Sequence, residues 1–162
     1  MIDDKIHIKR CPTASSSYSD HVPTREELER GTDMHIADVQ KGILYLVKML
    51  LQAGKNHDHT KKDMMSVFWN DFSTDMGKYG YFKGEGMFCK THYTSERHHL
   101  TEHVPEDVNL VDVIEYLCDC VMAGAARSEK RRADYRPLPP ELLEKAFHNT
   151  FEMLADAVEV EE

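Results

Sequence analysis

The sequence has no long hydrophobic run and little cysteine, and both absences limit what the chain can be. No window approaches the roughly 20 apolar residues that a membrane helix needs, and the segment MIDDKIHIKR has no apolar core of an export signal. The four cysteines form no CxxC pair, so neither a zinc knuckle nor a disulfide framework is expected. These absences predict a cytoplasmic protein without a membrane partner.

Positive charge is also scarce, because 20 Lys and Arg residues stand against 29 Asp and Glu residues and give a net charge of −9. Such a balance disfavours binding along a nucleic-acid duplex, although one small nucleotide could still be held through a metal ion. The 162 residues are enough for one domain with a buried core.

Histidine, in contrast, is abundant and concentrated, since seven of the ten histidines lie between residues 35 and 103. They occur in one order: His35, then the adjacent pair His57 and Asp58, then further histidines, and then Asp119. Imidazole and carboxylate are the side chains that hold hydrolytic metal ions. The pattern therefore predicts a site for one or two divalent ions, for which Mn, Fe, Co, Ni and Zn are all candidates.

Apolar periodicity predicts an all-α protein with an irregular N-terminal arm. We expect an arm and a short helix over residues 1–31 and a helical domain over 32–162. The arm either pairs as a strand near its start or stays loose. A capping box at Thr24–Glu27 would open the short helix, and Gly31 would end it.

Longer helices are expected to carry the candidate ligands. One runs from Asp33 to Gly54, with an apolar stripe that predicts burial in the core, and a second begins near His57. Glycines predict a loop over 77–90. A further helix is expected from Asn109 to about Arg131, and its core side would be formed by Val111, Ile114, Leu117, Cys118, Val121, Met122 and Ala125.

Three separate helices would then present His35, Asp58 and Asp119 to one ion, as in metal sites built inside helical bundles. Lys61 and Arg97 would offer cations to a phosphate. An isolated histidine on a helix edge is more often a surface or core residue than a ligand, so the prediction depends on the set as a whole. Three histidines remain for a second metal site or for the phosphate: His92, His98 and His99.

Four strings of this sequence resemble an uncharacterised family of small phage and bacterial proteins with the pattern H…NV…HD-x-SK…H…NRHHPEHF…NLLDLIEMICDW. The strings are His35-x3-Val39, HDHTKK (57–62), HYTSERHH (92–99) and NLVDVIEYLCD (109–119). Carried over residue by residue, the pattern marks His35, His57, Asp58, Lys61, His92, Arg97, His98, His99, Glu115 and Asp119. That family is in turn similar to the HD superfamily of metal-dependent phosphohydrolases.

The resemblance implies an HD-domain-like helical bundle that hydrolyses a small phosphorylated substrate, of which a nucleotide or nucleoside phosphate is the expected class. It also implies that Glu115 orients a ligand histidine or acts as a base. Short helical domains of this kind often pair through an apolar helix face, so a homodimer is a further expectation. Two alternatives remain: a non-catalytic metal-binding or nucleotide-binding regulatory protein of phage type, and a helical interaction module without metal.

Overall fold

The computed structural model describes residues 5–11, 21–127 and 136–161. Within these ranges the chain is mainly helical, as the apolar periodicity predicted. The elements are β1 (Ile6–Lys9), α1 (Arg25–Asn56), α2 (His59–Asp63), α3 (Met65–Tyr79), α4 (Met87–Ser95), α5 (Leu110–Arg127), α6 (Pro140–Ala157) and β2 (Val158–Glu161). The described residues form two compact units, one from residues up to Met49 with those from Phe151, the other from Leu50 to Thr150.

In the first unit, α1 begins with the predicted capping box. The Thr24 N–H donates to Glu27 Oε2 at 2.8 Å, and the Glu27 N–H donates to Thr24 Oγ1 at 3.2 Å. The predicted stop at Gly31 does not occur, and α1 runs without a break to Asn56. One glycine costs a helix only about 1 kcal/mol, which a helix of this length readily outweighs.

The two strands also belong to the first unit. β1 pairs with β2 in parallel, with Ile6 opposite Val158, so the strand alternative for the arm is confirmed for residues 6–9. The serine-rich stretch 14–19 and the expected helix end near Arg131 lie outside the described residues.

Several apolar stripes of the helices are exposed, contrary to the prediction that they form the core. On α1 the exposed fractions lie between 40% and 61% for Ile36, Val39, Ile43, Val47 and Leu51. Leu46 and Leu50, which belong to the same predicted stripe, are half-buried.

Helix α5 differs from its prediction in the face that it buries. Val111 is buried as predicted, but Ile114, Leu117 and Val121 are 41–51% exposed, and the neighbouring face with Asp112 and Tyr116 is buried instead. The core of the second unit contains Leu100, Val108, Val113, Tyr116, Leu142 and Ala146.

The ion pair of Asp112 explains the orientation of α5. Asp112 receives two hydrogen bonds from Arg97, at 2.7 and 2.8 Å, and a third from the Asn109 N–H at 2.9 Å. A buried carboxylate needs such partners, so this network holds the polar residue inside.

The predicted loop 77–90 is shorter than expected, because α3 continues to Tyr79 and α4 begins at Met87. Its aromatic residues pack together: Phe68 stacks on Phe88 with ring centroids 4.3 Å apart, and Phe72 approaches Phe82 at 5.3 Å. The connector is therefore held by aromatic side chains that pack into this unit. No helix in the described ranges is long and apolar enough to cross a membrane.

Candidate metal centre

The turn between α1 and α2 contains the adjacent pair His57 and Asp58. Asp58 has φ 56° and ψ 25°, and among the described residues it is the only non-glycine residue with positive φ. Aspartate tolerates this left-handed conformation better than most residues, but the strain is still on the order of 1 kcal/mol. Strain of this kind persists where the surrounding contacts fix a side chain in one direction.

Three imidazoles point their Nε2 atoms at the Asp58 carboxylate: one from the turn between α1 and α2, one from α4 and one from the segment after α4. His92 Nε2 lies 3.3 Å and His98 Nε2 3.7 Å from Oδ1, while His57 Nε2 lies 3.6 Å from Oδ2. His99 Nε2 lies 2.8 Å from His92 Nε2. Asp58, His92, His98 and His99 each offer one ligand atom, and these atoms all lie within 4.8 Å of one another.

Glu115 holds the opposite side of two of these rings. Its Oε1 accepts a hydrogen bond from His57 Nδ1 at 3.0 Å and lies 3.1 Å from His98 Nδ1. The two rings lie side by side, with centroids 4.3 Å apart. A carboxylate on Nδ1 fixes the tautomer that leaves a lone pair on Nε2, which is the usual support of a metal-ligating histidine. The same three residues form a second group of possible ligands.

A different buried carboxylate fixes His92, through a threonine. Glu96, which is 4% exposed, accepts hydrogen bonds from the Thr60 N–H at 2.8 Å and from the Thr60 hydroxyl at 2.7 Å. Because the hydroxyl proton points at Glu96, Thr60 Oγ1 is free to accept the His92 Nδ1 proton at 2.5 Å. His92 Nε2 therefore carries its lone pair towards Asp58. Phe88 stacks on the ring of His92 with centroids 5.1 Å apart.

The charge states suit metal binding. Burial, reinforced by His99, lowers the pKa of His92 to about 4, so this ring is neutral at pH 7 as ligation requires. Burial alone would raise the pKa of Asp58, but the hydrogen bond and charge of Lys61 outweigh it and lower that pKa. Burial likewise opposes ionisation of Glu115 and Glu96, but hydrogen bonds from their partners keep both pKa values low.

His98 and His99 respond to the same surroundings in opposite directions. Burial disfavours the charged form of His98, yet the carboxylate of Glu115, 3.1 Å from His98 Nδ1, outweighs burial and raises the pKa of His98. Burial and the neighbouring His98 lower the pKa of His99. Glu115 therefore favours proton binding by His98, whereas the surroundings of His92 and His99 favour the neutral imidazole.

Two atoms of this cluster are buried without a hydrogen bond: Asp58 Oδ1 and His98 Nδ1, the latter lying close to Glu115 without good alignment. Buried polar atoms are nearly always paired, and an unpaired one costs about 1–3 kcal/mol. Asp58 Oδ1 is surrounded by the Nε2 atoms of His92 and His98, so a divalent cation would satisfy an oxygen and imidazole lone pairs together. The residues present therefore fit a metal ion.

Of the other predicted site residues, two lie next to the cluster and two do not contribute to it. Asp119 adjoins the cluster, with Oδ1 3.6 Å from His57 Nε2, and Lys61 Nζ pairs with Asp58 Oδ2. Arg97 instead donates hydrogen bonds from its guanidinium to Asp112 and Asp107. His35 is exposed, about six turns before the end of α1, and belongs to neither ligand group.

Sequence reasoning missed Thr60 and Glu96. For Thr60 a signal existed, because it occupies the serine position of the HD-x-SK element in the pattern that the sequence resembles. Glu96 has no such signal, because its contact with Thr60 joins residues 36 positions apart. Comparison of the chain with protein families, with curated proteins and with solved structures gave no match in any of the three.

Proposed function

We propose that the protein is an HD-like, divalent-metal-dependent phosphohydrolase that acts on a small phosphate ester, with a nucleotide or nucleoside phosphate as the expected class. The observation that carries this proposal is the convergence of the Nε2 atoms of His57, His92 and His98 on the Asp58 carboxylate, with Nδ1 atoms held by Glu96, through Thr60, and by Glu115.

The burial of the cluster supports a reactive ion over a structural one. The side chains of His92 and His98 are 3% and 2% exposed, whereas those of His57, Asp58 and Asp119 are 29%, 23% and 35% exposed. The ligand set is therefore closed on one side and open to solvent on the other. A structural ion is wrapped completely by protein ligands, but a catalytic ion keeps a position for water and substrate.

A divalent ion held here would supply an acidified water as nucleophile and a Lewis acid for a phosphoryl oxygen. The chain's own residues have three tasks beside it. Glu115 orients His57 and His98, Thr60 orients His92, and Lys61 places a positive charge next to Asp58, where a phosphoryl oxygen would gain from it.

His35 and Arg97 are not part of the site that we propose. His35 lies in the other compact unit, and Arg97 already donates to two carboxylates and to the Asp107 carbonyl. The roles that the family pattern implies for His35 and Arg97, as a metal ligand and a phosphate-binding cation, therefore stay predictions. No contact among the described residues supports them.

Metal affinity tests the site directly. We expect the parent protein to bind Mn²⁺, Co²⁺ or Ni²⁺ near stoichiometrically, and Asp58→Asn to bind it at least about 100-fold more weakly, because the central carboxylate is lost. Asparagine also tolerates the left-handed backbone, so the variant should fold. Asp63→Asn, at an exposed position of α2, is the matched control and should bind as the parent does.

Turnover tests the reaction. The metal-loaded parent should release phosphate or diphosphate from some member of a panel of nucleotides, and Asp58→Asn should not. Stoichiometric metal binding without turnover of any phosphate ester would favour the non-catalytic alternative. If the parent protein binds none of Mn²⁺, Co²⁺ and Ni²⁺, the proposed function is refuted.

A further inference from the structure

A cavity of about 360 Å³ lies beside the candidate metal centre, between the last turns of α1 and helix α5. One end is polar and is formed by His57, Glu115 and Asp119, which are residues of the metal centre or its support. The walls of the remainder are apolar: Leu50, Ala53, Ile114 and Met122.

The polar groups at that end are already engaged with one another. His57 Nδ1 donates to Glu115, and His57 Nε2 faces Asp58 and Asp119 at 3.6 Å. Cys118, the remaining polar side chain of the wall, offers only a thiol, which is a weak donor and acceptor. A ligand in this cavity would therefore be held by apolar contacts and not by hydrogen bonds to its polar groups.

A second cavity, of about 220 Å³, shares Asp119 with the first and is more polar. His98, His99 and Arg136 are among its lining residues. Arg136 is largely exposed and pairs with Glu102 only at 3.6 Å, so it can reach an anion. The metal centre thus has an apolar cavity on one side of Asp119 and a more polar one, lined by both Arg136 and Glu102, on the other.

This arrangement indicates the orientation in which a substrate would bind. Resting on the proposed hydrolysis of a phosphate ester, we infer that the apolar cavity takes the organic group of that ester. This group is compact and apolar, such as a single aromatic ring, in place of the nucleoside that the sequence resemblance implies. The phosphoryl group then lies at the end with His57 and Asp119. A volume of about 360 Å³ is at the small end of the range for ligand pockets, which suits one ring and not an extended chain.

The inference is tested with two non-hydrolysable probes, phenylphosphonate and methylphosphonate, titrated into the Mn²⁺-loaded protein. They share the phosphonate and differ only in the organic group. Phenylphosphonate should bind at least about tenfold more tightly, since burial of a ring of this size contributes at least that factor. Equal affinities, or no binding of either probe, would overturn the inference.

Filling the cavity should abolish the preference. Ala53→Leu adds a side chain to the wall on a helix that accepts leucine well, and it should bring the two affinities within about twofold of each other. Ala125→Leu, at an exposed position of α5 that lines neither cavity, is the matched control and should keep the preference. If Ala53→Leu unfolds, Ile114→Thr, which lowers the apolarity of the wall, should reduce the preference.

The outcomes separate the two proposals. A preference for phenylphosphonate without hydrolysis of phenyl phosphate or of any nucleotide would leave the cavity assignment standing and refute the hydrolase. Hydrolysis with equal turnover of phenyl and methyl phosphate would support the hydrolase and refute the cavity assignment. Equal probe affinities together with a dimer that Ala53→Leu dissociates would overturn the inference and give the cavity to a second copy of the chain.

Discussion

At the scale of single residues, the left-handed backbone of Asp58 predicts how substitutions at this position change stability in the absence of metal. Asp58 has φ 56°, so alanine at this position should be strained and glycine should not. We expect metal-free Asp58→Gly to have a free energy of unfolding about 1 kcal/mol higher than that of Asp58→Ala, measured by urea denaturation.

The same pair of substitutions at an ordinary helical position provides the control. Asn70 is exposed in the middle of α3, where glycine lowers stability relative to alanine by about 1 kcal/mol. The sign should therefore reverse between residues 58 and 70. Equal signs at both positions would mean that the left-handed turn contributes no strain.

The relay from Glu96 through Thr60 to His92 makes a second prediction. Thr60→Val keeps the shape of the side chain but removes the acceptor of the His92 Nδ1 proton. Loss of such an outer contact typically weakens metal binding 10- to 100-fold, and we expect a loss of this size in a Mn²⁺ titration. Thr60→Ser retains the hydroxyl and should bind nearly as the parent. Equal losses with serine and valine would contradict this account, because the hydroxyl alone would then not support His92.

The sequence could identify most of this cluster because ligand chemistry is a property of residue type. His57, Asp58, His92, His98 and His99 were all predicted to be near a metal ion, and the structure brings them together. The contact of Glu96 with Thr60 depends on the packing of α4 against α2, which no local pattern encodes. The metal role of each residue stays a prediction.

At the scale of elements, the start of α4 depends on a side chain from α3. Asp71 Oδ2 accepts the Phe88 N–H at 2.9 Å, and a Cβ on Gly86 would collide with the same carboxylate. We expect Gly86→Ala to lower the free energy of unfolding by about 1–3 kcal/mol, because the carboxylate must shift away from the helix start. Chemical denaturation measures this loss.

Two further variants show whether the carboxylate is the cause. Gly77→Ala, on α3 where a Cβ would meet nothing within 4 Å, should leave stability unchanged or raise it by up to about 1 kcal/mol. Combining Asp71→Ala with Gly86→Ala should cost less than the sum of the two single losses, since the collision is then gone. Strict additivity would contradict this account.

Helices were easier to predict than their boundaries and faces. The capping box at Thr24–Glu27 is local and is confirmed, whereas the predicted stop at Gly31 does not occur, because the local pattern does not show the rest of the helix that outweighs one glycine. For α5 the sequence predicts that the most apolar stripe lies in the core, but the buried carboxylate of Asp112, paired with the partly exposed Arg97, turns the adjacent face inward. Long-range ion pairs of this kind carry no periodic signal.

At the scale of the whole molecule, the exposed stripe of α1 leads us to expect self-association. Large apolar residues that recur every three or four positions and remain 40–61% exposed are typical of a helix that packs on another chain. Sedimentation equilibrium should show a dimer, and Ile43→Lys should shift it towards monomer. Gln52→Lys, on the opposite side of the helix, adds the same charge and should not. A parent that stays monomeric at its highest soluble concentration would contradict this expectation.

The parallel pairing of β1 with β2 has a consequence for the timing of synthesis. Ile6 and Val158 are about 150 residues apart, so β1 leaves the ribosome roughly 8 to 30 seconds before its partner at usual translation rates. All of Leu50–Thr150 is made within that interval and can fold first. Of these two strands, β1 is therefore made first but paired only after β2 emerges, and until then its open edge is available to chaperones or to a neighbouring nascent chain.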